Sequence, residues 1–109
     1  MLAEKTFNTE LTLPKELQDK THVLAGELAW TAPEAVQVID WLEANGWEVV
    51  GVEAWRSTQG KPFFVASSDY SPPINDQVTP RSVTWCAHKA RLFAAKFSRE
   101  PDALFNIAA

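Results

Sequence analysis

Apolar residues recur at helical spacing in two stretches of this chain and at alternate positions in three others, with proline and glycine marking the breaks. The clearest stretch is 31–46. Ala35, Val38, Ile39 and Leu42 form one stripe at i, i+3, i+4 and i+7, with Val36 and Trp41 on its margins and Gln37 and Asp40 facing water. Thr31 followed three residues later by Glu34 is a capping box, Pro33 suits the first turn, and Gly46 after Asn45 suits a left-handed C-terminal cap. The spacing predicts an amphipathic helix of about 14 residues. A second helix is predicted from Thr79-Pro80 to Pro101. Its stripe is Val83, Cys86, Ala87, Ala90, Phe93, Ala94 and Phe97, and the many small residues in it suit close packing on a sheet.

The strand-like stretches are shorter. Phe7, Thr9, Leu11 and Leu13 alternate over residues 6–13, before Pro14. Residues 47–55 are rich in Val and Trp and predict a strand, with Val50, Val52 and Ala54 on one face. Trp47, Val49, Gly51, Glu53 and Trp55 fall on the other. Arg56 to Lys61, including Gly60, reads as a hairpin loop, and Pro62 to Ser67 as the returning strand. Residues 68–80 read as a loop with Pro72, Pro73 and Pro80. Residues 15–29 stay open between a short helix on Leu17, Leu24 and Leu28 and an irregular path, since Val23 and Gly26 oppose a helix. The elements predict an α+β fold: a small, mainly antiparallel sheet of three or more strands with the two helices on one face. One hundred and nine residues suit a single compact domain, 1–109.

Charge changes this picture. From Val23 to Trp55 the chain carries six carboxylates, no lysine or arginine, and four of its five tryptophans. Either the tryptophans are core and the carboxylates merely wet faces, or the stretch is an acidic surface with aromatic anchors for a basic partner. The last helix is the opposite: Arg81, Lys89, Arg91, Lys96 and Arg99 precede its first acid, Glu100. Trp85 and Leu92 fall on its outer side, to be covered by the tail residues Leu104, Phe105 and Ile107 or left as a second contact patch. The formal charge of −4 argues against direct binding of nucleic acid. No apolar run suits a membrane span, and neither a signal-peptide pattern nor a disulfide pair points to secretion, so a cytoplasmic protein is expected.

Candidate chemistry is sparse. His22 and His88 are far apart, Cys86 is the only cysteine and lies on an apolar stripe, and four scattered glycines form no phosphate loop. No metal, cofactor or catalytic group is expected. Glu48 and Glu53 are five apart, which puts them on opposite faces of a strand and weakens acid–base work. Binding has more to stand on: Glu43, Glu48, Glu53 and Trp55, extended by Asp69 and Tyr70 beyond the returning strand, are the candidate contact residues.

Three blocks then resemble the immunity protein 40 family of bacterial polymorphic toxin systems: Ala29-Trp30-Thr31-Ala32-Pro33-Glu34-Ala35, Leu42-Glu43-Ala44-Asn45-Gly46, and Val49-Val50-Gly51-Val52-Glu53-Ala54-Trp55. Gly60-Lys61, Ser68-Asp69-Tyr70, and Ala90 with Phe93 sit where that family's hairpin, Tyr-Asp-type motif and closing helix fall. Glu53 and Trp55 stand where the family carries aspartate and tyrosine. The resemblance spans about residues 28–94 and implies a non-catalytic inhibitor of a cognate protein toxin, acting by occlusion. Two other classes fit the composition: another small acidic inhibitor, such as a phage anti-defence protein, or a small-molecule or enzymatic domain with a site beneath the proline loop.

Overall fold

The computed structural model describes residues 13–24, 27–59, 61–70, 83–100 and 102–109. Among these the order is α1 (Lys15–Gln18), β1 (His22–Leu24), β2 (Glu27–Ala29), α2 (Ala32–Ala44), β3 (Gly51–Thr58), β4 (Lys61–Asp69), α3 (Val83–Lys96) and β5 (Ala103–Ala108). One antiparallel sheet has the order β4-β3-β5, and β1 and β2 form a separate antiparallel pair. This is the α+β architecture that the alternation of strand and helix patterns predicts. The strand expected over 6–13 and most of the proline loop lie outside the described residues; Leu13 is buried in the core.

Helix α2 follows its capping signals closely. The Thr31 N–H donates to Glu34 Oε1 at 3.1 Å. At the other end the Gly46 N–H donates to the Glu43 carbonyl at 3.1 Å and the Trp47 N–H to the Leu42 carbonyl at 2.8 Å. That pair of bonds is a Schellman ending, and Gly46 takes the left-handed conformation it requires, at φ 78°. Nothing lies within 4 Å of where a Gly46 side chain would begin, so backbone conformation and not space demands glycine. Ala35, Val38, Ile39 and Leu42 are all fully buried, facing Cys86, Ala87, Ala90 and Ala94 of α3. The small residues let α3 lie close to α2 as well as to β3.

Strand β3 begins later than its composition predicts. Trp47 is held by the helix ending, and Val49 is buried while Val50 is half-buried, so the alternation expected across 47–55 breaks before Gly51. Beyond it Val52 and Ala54 face the helices and Glu53 and Trp55 face away. The hairpin is tighter than the six-residue loop expected, since β3 and β4 pair up to Thr58↔Lys61. Gln59 turns the chain at φ 52°, and Gly60 lies outside the described residues. Ala54 pairs with Ala66 but Trp55 with Phe64, leaving Val65 as the additional residue of a β-bulge.

The tail differs most from expectation. Residues 103–108 do not cover the outer side of α3; they form β5, registered on β3 with Val52↔Ile107 and Ala54↔Phe105. Phe105 and Ile107 enter the core, with no exposure. On its other side Phe105 pairs with Trp30: the Trp30 N–H donates to the Phe105 carbonyl at 2.9 Å and the Phe105 N–H to the Trp30 carbonyl at 2.7 Å. Asn106 Nδ2 donates to the Leu28 carbonyl at 2.8 Å, tying the β1-β2 pair to the same edge. Within 15–29, Lys15–Gln18 form one short helical turn and His22–Leu24 pairs antiparallel with Glu27–Ala29, as β-branched Val23 suits an extended chain better than a helix.

Replacing Phe105 by Ala should cost about 3–5 kcal/mol, a large part of the total for a small domain, read from urea unfolding. Gly46→Ala should cost about 1 kcal/mol without altering the helical circular dichroism, since it strains a single left-handed residue.

Candidate functional site

Both long helices lie on one side of the sheet, and on the other side the side chains range from exposed Phe64, Ser67 and Asp69 through half-buried Glu53, Trp55 and Leu104 to buried Asn106. Register places three rows there: Asp69, Gly51 and Ala108; Ser67, Glu53 and Asn106; Phe64, Trp55 and Leu104. Trp55 stands in the middle of the last row, its ring edge-on to Phe64 with centroids 5.4 Å apart. Its indole N–H donates to Glu53 Oε1 at 3.1 Å, which fixes the ring and aims one carboxylate oxygen. Phe64 is 54 % exposed. Asp69 is exposed at the opposite end of the face. Between the carboxylates the backbones come close: a side chain at Gly51 would begin 3.2 Å from the Ser68 carbonyl oxygen. The result is a face with an aromatic end and an acidic end, the latter holding an open depression of about 320 Å³ lined by Gly51, Glu53, Ser67, Ser68, Asp69 and Ala108.

The six residues singled out from the sequence therefore separate. Glu53, Trp55 and Asp69 share the helix-free face. Glu43 and Glu48 belong to the helical side. Glu43 accepts a hydrogen bond from Arg91 Nη2, while Arg91 Nε donates to Asp40 Oδ1 at 2.8 Å, so one guanidinium of α3 joins two acids of α2. Glu48 Oε2 lies 3.5 Å from the Cys86 sulfur, which is buried. Tyr70 is not on the surface at all: it is 5 % exposed, with its ring edge-on to Trp85 at 6.2 Å. The parity that puts Asp69 outside turns the next residue inward, beneath the helices. Of the four tryptophans in the acidic stretch, Trp30 is fully buried and Trp41 and Trp47 pack against the core. Phe64 and Leu104 were missed as site residues. The Phe63-Phe64 pair held a signal, because neighbours in a strand cannot both enter one core.

Electrostatics mark Glu43 as structural. The Arg91 hydrogen bond holds the Glu43 carboxyl below its ordinary value, against the opposing effect of desolvation. Burial pushes the Tyr70 phenol above its ordinary value, opposed in part by Ser68. Among the described residues no group of three His, Cys, Asp or Glu is placed to hold a metal, and no helix is long and apolar enough to cross a membrane. The chain matches no protein-family model, no curated protein and no solved structure.

A depressed carboxylate stabilises the fold above the unfolded-state value of about 4.3, and that contribution is lost as pH falls through the folded-state value. Arg91→Gln should therefore lower the melting temperature at neutral pH. The gap to wild type should close on acidification below about pH 4. A gap that stays constant across this range would mean that Arg91 acts through packing alone.

Proposed function

We propose that this chain is a non-catalytic inhibitor that docks the helix-free face of its sheet onto a basic protein, most simply a cognate toxin inside the producing cell. The observation that carries the reading is the association of Trp55, Phe64 and Leu104 with Glu53 and Asp69 on the face that neither long helix covers. A solvated sheet face is ordinarily polar. Aromatic anchors beside carboxylates supply what capture of a basic surface needs: steering at long range and desolvated contact at short range. The resemblance to the immunity protein 40 family implies the same reading through the Ser68-Asp69-Tyr70 motif, with Glu53 and Trp55 in place of that family's aspartate and tyrosine. Tyr70 then supports the face from within instead of touching the partner.

Strand β4, the outer strand among the described residues, gives a further reason to place docking on the face and not on the sheet edge. Lys61, Pro62 and the bulge at Val65 are the devices by which edges resist pairing with another strand.

Glu53→Lys with Asp69→Lys should slow association by about tenfold or more in low salt, with little change in stability. The test is capture on immobilised protein from the strain that encodes it. Wild type should retain a basic protein that the doubly reversed bait loses, and co-expression should rescue cells from that protein's toxicity. Equal retention by both baits in low salt would exclude this face as the docking surface.

A further inference from the structure

We propose that the outer side of α3 is a docking surface for the helix-free sheet face of a second copy of this chain, so that free protein associates head to tail. Along α3, Trp85, His88, Lys89, Leu92 and Lys96 fall within one narrow stripe opposite the buried Cys86, Ala87, Ala90 and Ala94. Trp85 is 39 % and Leu92 52 % exposed, and β5 runs elsewhere, so the tail does not cover them. Every ionisable residue of the stripe is basic. Lys89 Nζ lies 5.6 Å from the centre of the Trp85 ring, which sets cation and aromatic surface side by side.

This stripe is complementary to the sheet face in charge, chemistry and length. The sheet face offers Glu53 and Asp69 with Trp55 and Phe64; the helix offers Lys89 and Lys96 with Trp85 and Leu92. Trp85 to Lys96 spans about 16 Å at helical rise, and Phe64 to Asp69 about 17 Å at strand rise. Neither surface suits its own copy. Two helix stripes would oppose lysine to lysine, and two sheet faces carboxylate to carboxylate, which is repulsive where charges meet. Like-with-like pairing is therefore disfavoured on both sides, while the cross-pairing satisfies both. The surfaces lie on opposite sides of the molecule, because α2 and α3 occupy one side of the sheet. The contact is heterologous and grows into rings or chains instead of a closed two-fold dimer. A basic partner and the α3 stripe of a neighbour would then compete for one face, so that self-association holds the binding face in reserve until the partner arrives.

The test is sedimentation of the intact chain over a concentration series up to millimolar. In about 20 mM salt the average mass should rise above 12.2 kDa with concentration, and in about 0.5 M salt, where screening is strong, it should return to the monomer value. Lys89→Glu with Lys96→Glu, and separately Glu53→Lys with Asp69→Lys, should each weaken association at least about tenfold. Mixing the two variants should restore it, since the lysine-bearing α3 of one still meets the carboxylate-bearing sheet of the other. The α3 variant should also keep its capture of a basic partner, which separates this proposal from the preceding one. Circular dichroism confirms folding of each variant, with Lys96→Glu alone as the milder change. Wild type that stays monomeric in low salt, or association that survives either double reversal, would overturn the proposal.

Discussion

The two hydrogen bonds between Trp30 and Phe105 join segments 75 positions apart in the sequence, and the rest of the molecule is arranged around them. Phe105 sits between β3, which pairs with it on one side, and the chain leading into α2 on the other. Its ring enters the core, where Phe93 of α3 meets it edge-on with centroids 6.4 Å apart. One residue thus contacts the central strand, the entry to the first long helix and the second helix. Trp30, fully buried, adds an indole N–H donated to the Leu17 carbonyl at 3.4 Å, which brings α1 onto the same centre. Removing the Phe105 side chain leaves the backbone bonds to Trp30 in place but takes away the ring that meets Phe93 and fills the core between sheet and helices.

That dependence on distant pairing explains what the sequence could and could not disclose. Helix α2 was legible because its signals are local: a stripe, a capping pair and a glycine lie within sixteen residues and need no partner to be read. The inward stripe of α3 was legible for the same reason. Strand β5 was not. Phe105 and Ile107 alternate with Leu104 and Asn106, but the apolar Leu104 hides the alternation, and the partner strand lies some fifty residues earlier. Strands β1 and β2 have three residues each, too short for any period to show.

The candidate site was legible where parity holds and lost where it slips. Glu53 and Trp55 share a face because β3 is regular from Gly51 onward. Tyr70 was misplaced because it follows Asp69 by one residue, which inverts its side. Phe64 was overlooked because the bulge at Val65 shifts the count between Ala66 and Phe64, so that alternation read from Ser67 does not reach it correctly. Glu43 could be recognised as a surface acid, but not as one committed to Arg91, which lies 48 positions later on another helix. Charge content is a property of sequence; charge availability is a property of packing.

The helix-free face is itself a consequence of size. A chain of this length supports one core, and both long helices lie on the same side of the sheet, leaving the other side without either of them. Trp55, Phe64 and Leu104 on that side contribute little to the core and expose apolar surface that would favour aggregation. Two features restrain this: the Trp55–Phe64 edge contact shields each ring in part, and Glu53 and Asp69 repel an identical face. The acids therefore act before any partner is present. They make an apolar surface tolerable in water and at the same time select, by repulsion from acids and attraction to cations, what is permitted to cover it.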